Sequence, residues 1–193
     1  MKILYIDVET TGIPAPESGL VQLSGAVEID GTVRERFDFR VAPFPGDRIS
    51  GEALEVNGLT LRDLEGFTPP ETVFAAFVEI LGKYVDRYDR SDKFFFAGYN
   101  AGFDCGHLRA WFSKCGDDFF GSWFWHPPID VMSMAAVVLM GERARLPNFR
   151  LATVAGHLGL QVDEARLHDA LYDVELAREV FGALLLRLGQ KTT

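Results

Sequence analysis

Cysteine is scarce in this chain: only Cys105 and Cys115 occur among 193 residues, ten positions apart and without a CxxC spacing. Two are too few for a disulfide framework, and they read as ordinary reduced thiols. Long apolar runs are missing too. Ile3 to Ile6 follows Met1-Lys2 but is stopped by Asp7, too short for a signal peptide. Met132 to Met140 falls far below the roughly 20 residues of a membrane span and reads as a buried helix. These absences point to an intracellular, cytoplasmic protein with no membrane partner. Positive charge is also in short supply: 19 Lys and Arg stand against 28 Asp and Glu, a formal net charge of −9. A domain that grips polyanions carries a basic patch, so this balance argues against tight, non-specific duplex binding. It leaves open an acidic site that holds divalent cations, because bound ions invert the local sign of charge. Linkers, internal repeats and low-complexity tracts are absent, so the chain is expected to form one domain over residues 1–193.

What is present reads as an α/β chain. Residues 2–7 form a short buried strand ending in an acid. Residues 20–30 are rich in β-formers, Asp30-Gly31 is a hairpin turn signal, and residues 32–41 alternate. There Val33, Phe37, Phe39 and Val41 fall on one face, Arg34, Arg36, Asp38 and Arg40 on the other, and Glu35 is the exception. The chain therefore opens with an antiparallel meander. Residues 42–71 hold four of the nine prolines and several turn signals, and read as loops with short helical pieces. Helical spacing predicts a helix over residues 72–88, a strand over 94–99 and a helix over 103–115. Ile129 to Val131 is a short strand or helix start. Further helices are predicted over Met132 to Met140, over 150–159 with Gly159 as its stop, and after Asp169 as N-cap. The last carries the stripe Leu171, Val174, Ala177, Phe181, Leu184, Leu185 and Leu188. Strand–helix–strand order adds parallel strands to the meander.

Three short motifs carry chemistry. In Ile6-Asp7-Val8-Glu9-Thr10-Thr11-Gly12, alternation puts Asp7 and Glu9 on one face of a strand. Two carboxylates there repel each other unless a cation fills the gap, and hard ions such as Mg²⁺ or Mn²⁺ prefer oxygen donors. Read alone, the pair is equally well a solvated strand end. In Tyr99-Asn100-Ala101-Gly102-Phe103-Asp104, the aspartate follows a strand's carboxyl end, where α/β sheets bind ligands; alone it reads as an acid serving a helix start. In His168-Asp169-Ala170-Leu171-Tyr172-Asp173, a histidine able to take a proton near neutrality precedes an acid inside a helix; alone this reads as a surface helix cap.

Taken together and in this order, the motifs resemble the DnaQ-like exonucleases of the DEDDh subgroup, over Ile3 to about Leu186. Val56-Asn57-Gly58-Leu59-Thr60 is similar to a segment that often reads V-H-G-I-T in bacterial proofreading subunits. The resemblance implies an RNase H-like fold: a mixed five-stranded sheet flanked by helices. It implies a metal-dependent 3′→5′ exonuclease with two divalent ions, Mg²⁺ or Mn²⁺. Asp7, Glu9 and Asp173 would hold the first ion, and Asp7 and Asp104 the second. His168 would be the general base, and nucleoside 5′-monophosphates the products. Thr10 and Thr11 match positions whose backbone meets the terminal sugar, and Leu54, Leu59 and Phe103 are candidates for contacts with the last bases.

The implied partner is a nucleic-acid 3′ end, single-stranded or frayed, with DNA mildly favoured over RNA in proofreading, repair or end-trimming. A polymerase or a second copy of the chain would be a protein partner. Asn57 departs from the histidine common in proofreading subunits. Phe119, Phe120, Trp123, Phe124 and Trp125 are either stacking wedges or core, with core favoured because bulky aromatics are mostly buried. His107, His126 and His157 have no metal-ligand spacing and read as structural. The alternative function is a non-catalytic module that keeps this fold to bind nucleic-acid ends or a polymerase; such modules tend to lose an acid or the histidine, and here all five remain.

Overall fold

Alternation along the first strand sorts the molecule into two layers around one sheet. In the computed structural model, which describes residues 1–167 and 169–191, β1 spans Lys2–Thr10. Its Leu4, Ile6 and Val8 enter one apolar cluster, and Ile3 and Tyr5 enter another on the opposite face. A strand buried on both faces needs a near-continuous apolar run, which Ile3 to Ile6 supplies. His168, the expected base, lies outside the described residues.

β2 (Leu20–Ile29) and β3 (Thr32–Arg40) complete the meander, each antiparallel to its predecessor. The predicted hairpin turn forms at Asp30 and Gly31, both with positive φ (50° and 78°). Phe37 is buried, while Arg34, Arg36, Asp38 and Arg40 are exposed, as the alternation requires. Glu35, the exception, faces inward and is satisfied there: Lys83 Nζ donates to it at 2.8 Å and the Tyr84 hydroxyl at 3.1 Å.

Three helices follow: α1 (Gly51–Val56), α2 (Leu61–Leu64) and α3 (Pro70–Gly82). The predicted helix over 72–88 thus starts two residues earlier, with Pro70 in the first turn where its missing N–H costs nothing. It also stops six residues sooner. Asp86, Asp89 and Asp92 take the backbone N–H groups of Tyr88, Ser91 and Asp86 on their side chains, which competes with helix propagation.

β4 (Phe95–Gly98) pairs in parallel with β1, and α4 (Ala101–Lys114) follows it. β5 (Ile129–Asp130) pairs in parallel with β4 and runs into α5 (Val131–Val138). Then come α6 (Leu151–His157), with Gly159 at φ 83° just beyond its end, and α7 (Ala170–Lys191). The sheet order is β3-β2-β1-β4-β5, the mixed five-stranded sheet with flanking helices expected of an RNase H-like fold.

α3 and α4 cover the face that receives Leu4 and Ile6; α5, α6 and α7 cover the other. On α7 the buried stripe is Val174, Leu176, Ala177, Val180, Phe181 and Leu184, whereas Leu185 and Leu188, expected in it, are exposed. Asp169 caps α7 as predicted, accepting the N–H groups of Leu171 and Tyr172. In the aromatic stretch, Phe120, Trp123 and Phe124 are core and Phe119 is exposed. Both cysteines are free thiols. Among the described residues, no helix is long and apolar enough to cross a membrane.

Candidate active site

β1 runs three residues beyond the predicted strand 2–7, and this extension carries the site. Pairing with β2 continues to Thr10, but pairing with β4 is recorded only from Ile3 to Tyr5. At Asp7 and Glu9 the strand therefore has a sheet neighbour on one side only. The first turn of α4 closes the other side. Gly98 makes the approach possible: a Cβ there would lie 2.9 Å from the Ile6 carbonyl oxygen. Asp104, on that first turn and 4% exposed, accepts the Val8 N–H at 3.0 Å. Its neighbourhood is anchored by a residue the motifs did not single out. Asp130, at the end of β5, accepts the N–H of Asn100, a residue with φ 66° just before α4. An acid closing a strand next to a predicted helix start was the available signal.

The fourth acid, Asp173, comes from the start of α7. The four carboxylates act on one another electrostatically. Asp7 is held well above the usual carboxylate range, first by burial and then by the charges of Asp104, Glu9 and Asp173. Glu9 is pushed up to about 7 by burial and by Asp173, with Arg40 offsetting part of the effect. Asp104 is pushed up to about 7 by burial, against the pull of its bond from Val8.

For an acid, a raised pKa in the fold means that the folded state binds protons the unfolded chain has released. Stability is therefore lost as pH rises through the window between about 4.5 and 7. Metal-free protein in EDTA is accordingly expected to melt a few degrees higher, roughly 3–6 °C, at pH 6 than at pH 8. His107, whose pKa burial lowers, opposes this only below its ordinary value of 6.5. A flat or inverted melting profile between those two pH values would show that the acids are not mutually destabilised.

A groove of about 510 Å³ opens beside Glu9. Its walls are the turn after β1, from Thr10 to Pro14, together with Arg48, Phe103 and the exposed side of α1, including Ala53, Val56 and Asn57. The turn is fixed from several directions. The Thr11 hydroxyl donates to the Arg48 carbonyl at 2.6 Å and accepts from Gly19 N–H at 2.7 Å. Its backbone N–H goes to Gly19 and its carbonyl to Ser50. Asn57 donates its side-chain amide to the Thr10 carbonyl at 3.0 Å, so it pins the turn rather than standing free for a ligand.

His107 is buried, lies 4.4 Å from Phe103 ring to ring, and sits 3.0 Å from the Ile13 carbonyl through Nε2. A carbonyl only accepts, so the neutral ring carries its proton on Nε2. The role is structural, as expected.

The expected site residues divide. Asp7, Glu9, Asp104 and Asp173 are brought into one electrostatic cluster. Thr10, Thr11 and Phe103 line the adjoining groove. Leu54 and Leu59 do not: Leu54 is buried against Val21 and Leu64, with Leu59 packed on that cluster. On a six-residue helix that turns Leu54 inward, Ala53, Val56 and Asn57 face the groove instead, and Ile13, 83% exposed, forms the opposite lip.

The donor set tests the fit to divalent cations. Among the described residues, no three His, Cys, Asp or Glu side chains as placed close on a single point to hold an ion. The chemistry nonetheless suits a hard cation: all four donors are carboxylates, and Asp7, Glu9 and Asp104 are raised by burial and by neighbouring carboxylate charges, that of Asp173 among them. An ion seated there would relieve the repulsion.

Similarity to known proteins agrees with this architecture. The chain is 26% identical over 185 residues to DNA polymerase III PolC-type of Bacillus cereus, covering 96% of this chain but 11% of that protein. It is 32% identical over 107 residues to the Streptococcus pyogenes PolC-type protein, covering 55% of this chain and 6% of that one. It thus spans about a tenth or less of these relatives.

Among solved structures, E. coli exonuclease I in complex with a 5cy-dT13 oligonucleotide superposes with a TM-score of 0.71 at 22% identity, over 93% of this chain and 39% of that one. The zinc-ion-bound E. coli exonuclease I–single-stranded DNA complex gives 0.73 at 21%, over 98% and 41%. At such identities the likeness speaks to the fold. The exonuclease family model RNase_T matches residues 4–181, nearly the whole chain, and carries the assignment: the chain belongs to the RNase_T exonuclease family.

Proposed function

We propose that the protein is a metal-dependent 3′→5′ exonuclease that releases nucleoside 5′-monophosphates from the 3′ end of nucleic acid. The observation that supports it best is the cluster of four carboxylates, drawn from β1, α4 and α7, in which Asp7, Glu9 and Asp104 are raised by burial and by their acidic neighbours, opening on a groove that shares Glu9 with it. Two Mg²⁺ or Mn²⁺ ions held by Asp7, Glu9, Asp104 and Asp173 would supply Lewis-acid activation of water and charge stabilisation at the leaving oxygen.

The chain's own residues do the rest. The groove holds the terminal nucleoside, with Phe103 as a stacking surface backed by His107 and with Ile13 and Val56 as apolar lips. Thr10 and Thr11 shape the floor. Most polar groups of Thr11 are committed to the fold, so its part is to fix the turn rather than to reach out. His168 takes the proton of the attacking water. The match to a segment of DNA polymerase III PolC-type proteins supports DNA as the substrate.

The test is incubation with 5′-labelled single-stranded DNA and RNA oligonucleotides in Mg²⁺, Mn²⁺ or EDTA. A ladder shortening from the 3′ end, abolished by EDTA and faster on DNA, is expected. Binding without cleavage under every metal would move the assignment to a module that recognises nucleic-acid ends.

A further inference from the structure

A chain of net charge −9 that handles a polyanion needs a cation near its site. The strand register shows where one stands. On the sheet face that carries the acids, Asp7 pairs with Ser24 and Ser24 with Asp38; Glu9 pairs with Gln22 and Gln22 with Arg40. Two parallel rows of polar side chains therefore lead from the acids to the edge strand. Gln22 and Ser24, both buried, donate to the same Asp38 oxygen at 2.7 Å each, which locks the middle of this platform.

Arg40 ends the Glu9 row. It is exposed, its guanidinium lies 6.0 Å from the Phe67 ring centroid, and it forms no ion pair within 4.0 Å among the described residues. The other two exposed β3 arginines differ: Arg36 is tied to Glu175 on α7, and Arg34 sits six residues from Arg40, about 20 Å along the strand. The charge of Arg40 is felt at Glu9. A guanidinium is shaped for phosphate oxygens, and a ring contact at 6.0 Å occupies none of its N–H groups.

We propose that Arg40 binds the substrate phosphate next to the scissile one, so that the strand crosses the β2–β3 platform on its way to the carboxylates. This rests on the nuclease reading above and adds the path of the strand.

The test compares Arg40→Gln, Arg40→Lys and, as a control of equal net charge, Arg34→Gln. Arg40→Gln should raise KM for a pentanucleotide about tenfold, as for one lost charged hydrogen bond. It should leave kcat within about twofold and make the slope of log KM against log salt shallower by about 0.7. Arg40→Lys should recover part of the loss, and Arg34→Gln should match wild type. A 5′-hydroxyl dinucleotide has only the scissile phosphate, so Arg40→Gln should process it normally.

Equal behaviour of the two glutamine variants would overturn the proposal. So would an equal loss on the dinucleotide, which would place the action of Arg40 at Glu9. Absence of turnover in the wild type would instead fail the nuclease reading, and anisotropy of a labelled pentanucleotide in EDTA would then decide on Arg40 by the same comparison of dissociation constants.

Discussion

Asp7→Asn should cut turnover on a single-stranded oligonucleotide by on the order of 10³-fold or more while raising the melting temperature of the metal-free protein at pH 8. The two effects have one cause. Asp7 stands at the centre of the cluster, and the charges of Asp104, Glu9 and Asp173 all act on it. In the absence of a cation, a neutral amide of nearly the same shape removes the most crowded charge, and each unit of pKa shift relieved is worth about 1.4 kcal/mol. With metals present, the same change removes a carboxylate that would help hold the ions. Losing several kcal/mol of transition-state stabilisation is a loss of about a thousandfold. Melting curves in EDTA and single-turnover rates in Mn²⁺ measure both sides. Wild-type turnover would remove Asp7 from the metal assignment. A lower melting temperature would mean that its carboxylate is satisfied within the fold rather than strained by its neighbours.

How much of this was legible beforehand depended on whether a feature is set by local pattern or by what packs against it. Alternation placed Asp7 and Glu9 on one face, Asp30-Gly31 announced its turn, and the strand-to-helix position of Asp104 carried over directly. Helix α1 shows the opposite case. Six residues are less than two turns, too few for periodicity to say which side meets the core. Burial of Leu54 against Val21 and Leu64 turned Val56 and Asn57 to the groove, contrary to the choice of Leu54 and Leu59. The end of α3 was hidden for another reason: Asp86, Asp89 and Asp92 bond nearby backbone N–H groups, a competition that helical spacing of apolar residues does not register. Glu35 looked like a flaw in an alternating strand because its partners, Lys83 and Tyr84, lie 48 and 49 residues away. The platform that ends at Arg40 needed the β1–β2–β3 register, including its shift between Val27 and Glu28, before its rows could be drawn.

His168→Ala should slow turnover by roughly 10²–10⁴-fold, the span of a general base. It should also change the shape of the pH profile, which a merely structural substitution would not do. In the wild type, the log rate should climb with pH through the neutral range as the imidazole loses its proton, then level off. In the variant that limb should flatten, with partial recovery on adding imidazole. The choice of conditions matters because histidine is not the only group that titrates there: Glu9 and Asp104 are each pushed up to about 7 without a cation. At limiting metal their ionisation would produce a rising limb of the same sign, and the two origins would be confused. Saturating Mn²⁺ favours the ionised carboxylates and draws their titration down to lower pH, so a limb that persists near neutrality belongs to the histidine. If that limb survives in His168→Ala at saturating Mn²⁺, another group activates the water. If it disappears from the wild type as Mn²⁺ is raised, the pH dependence belongs to the carboxylates and His168 is not the base.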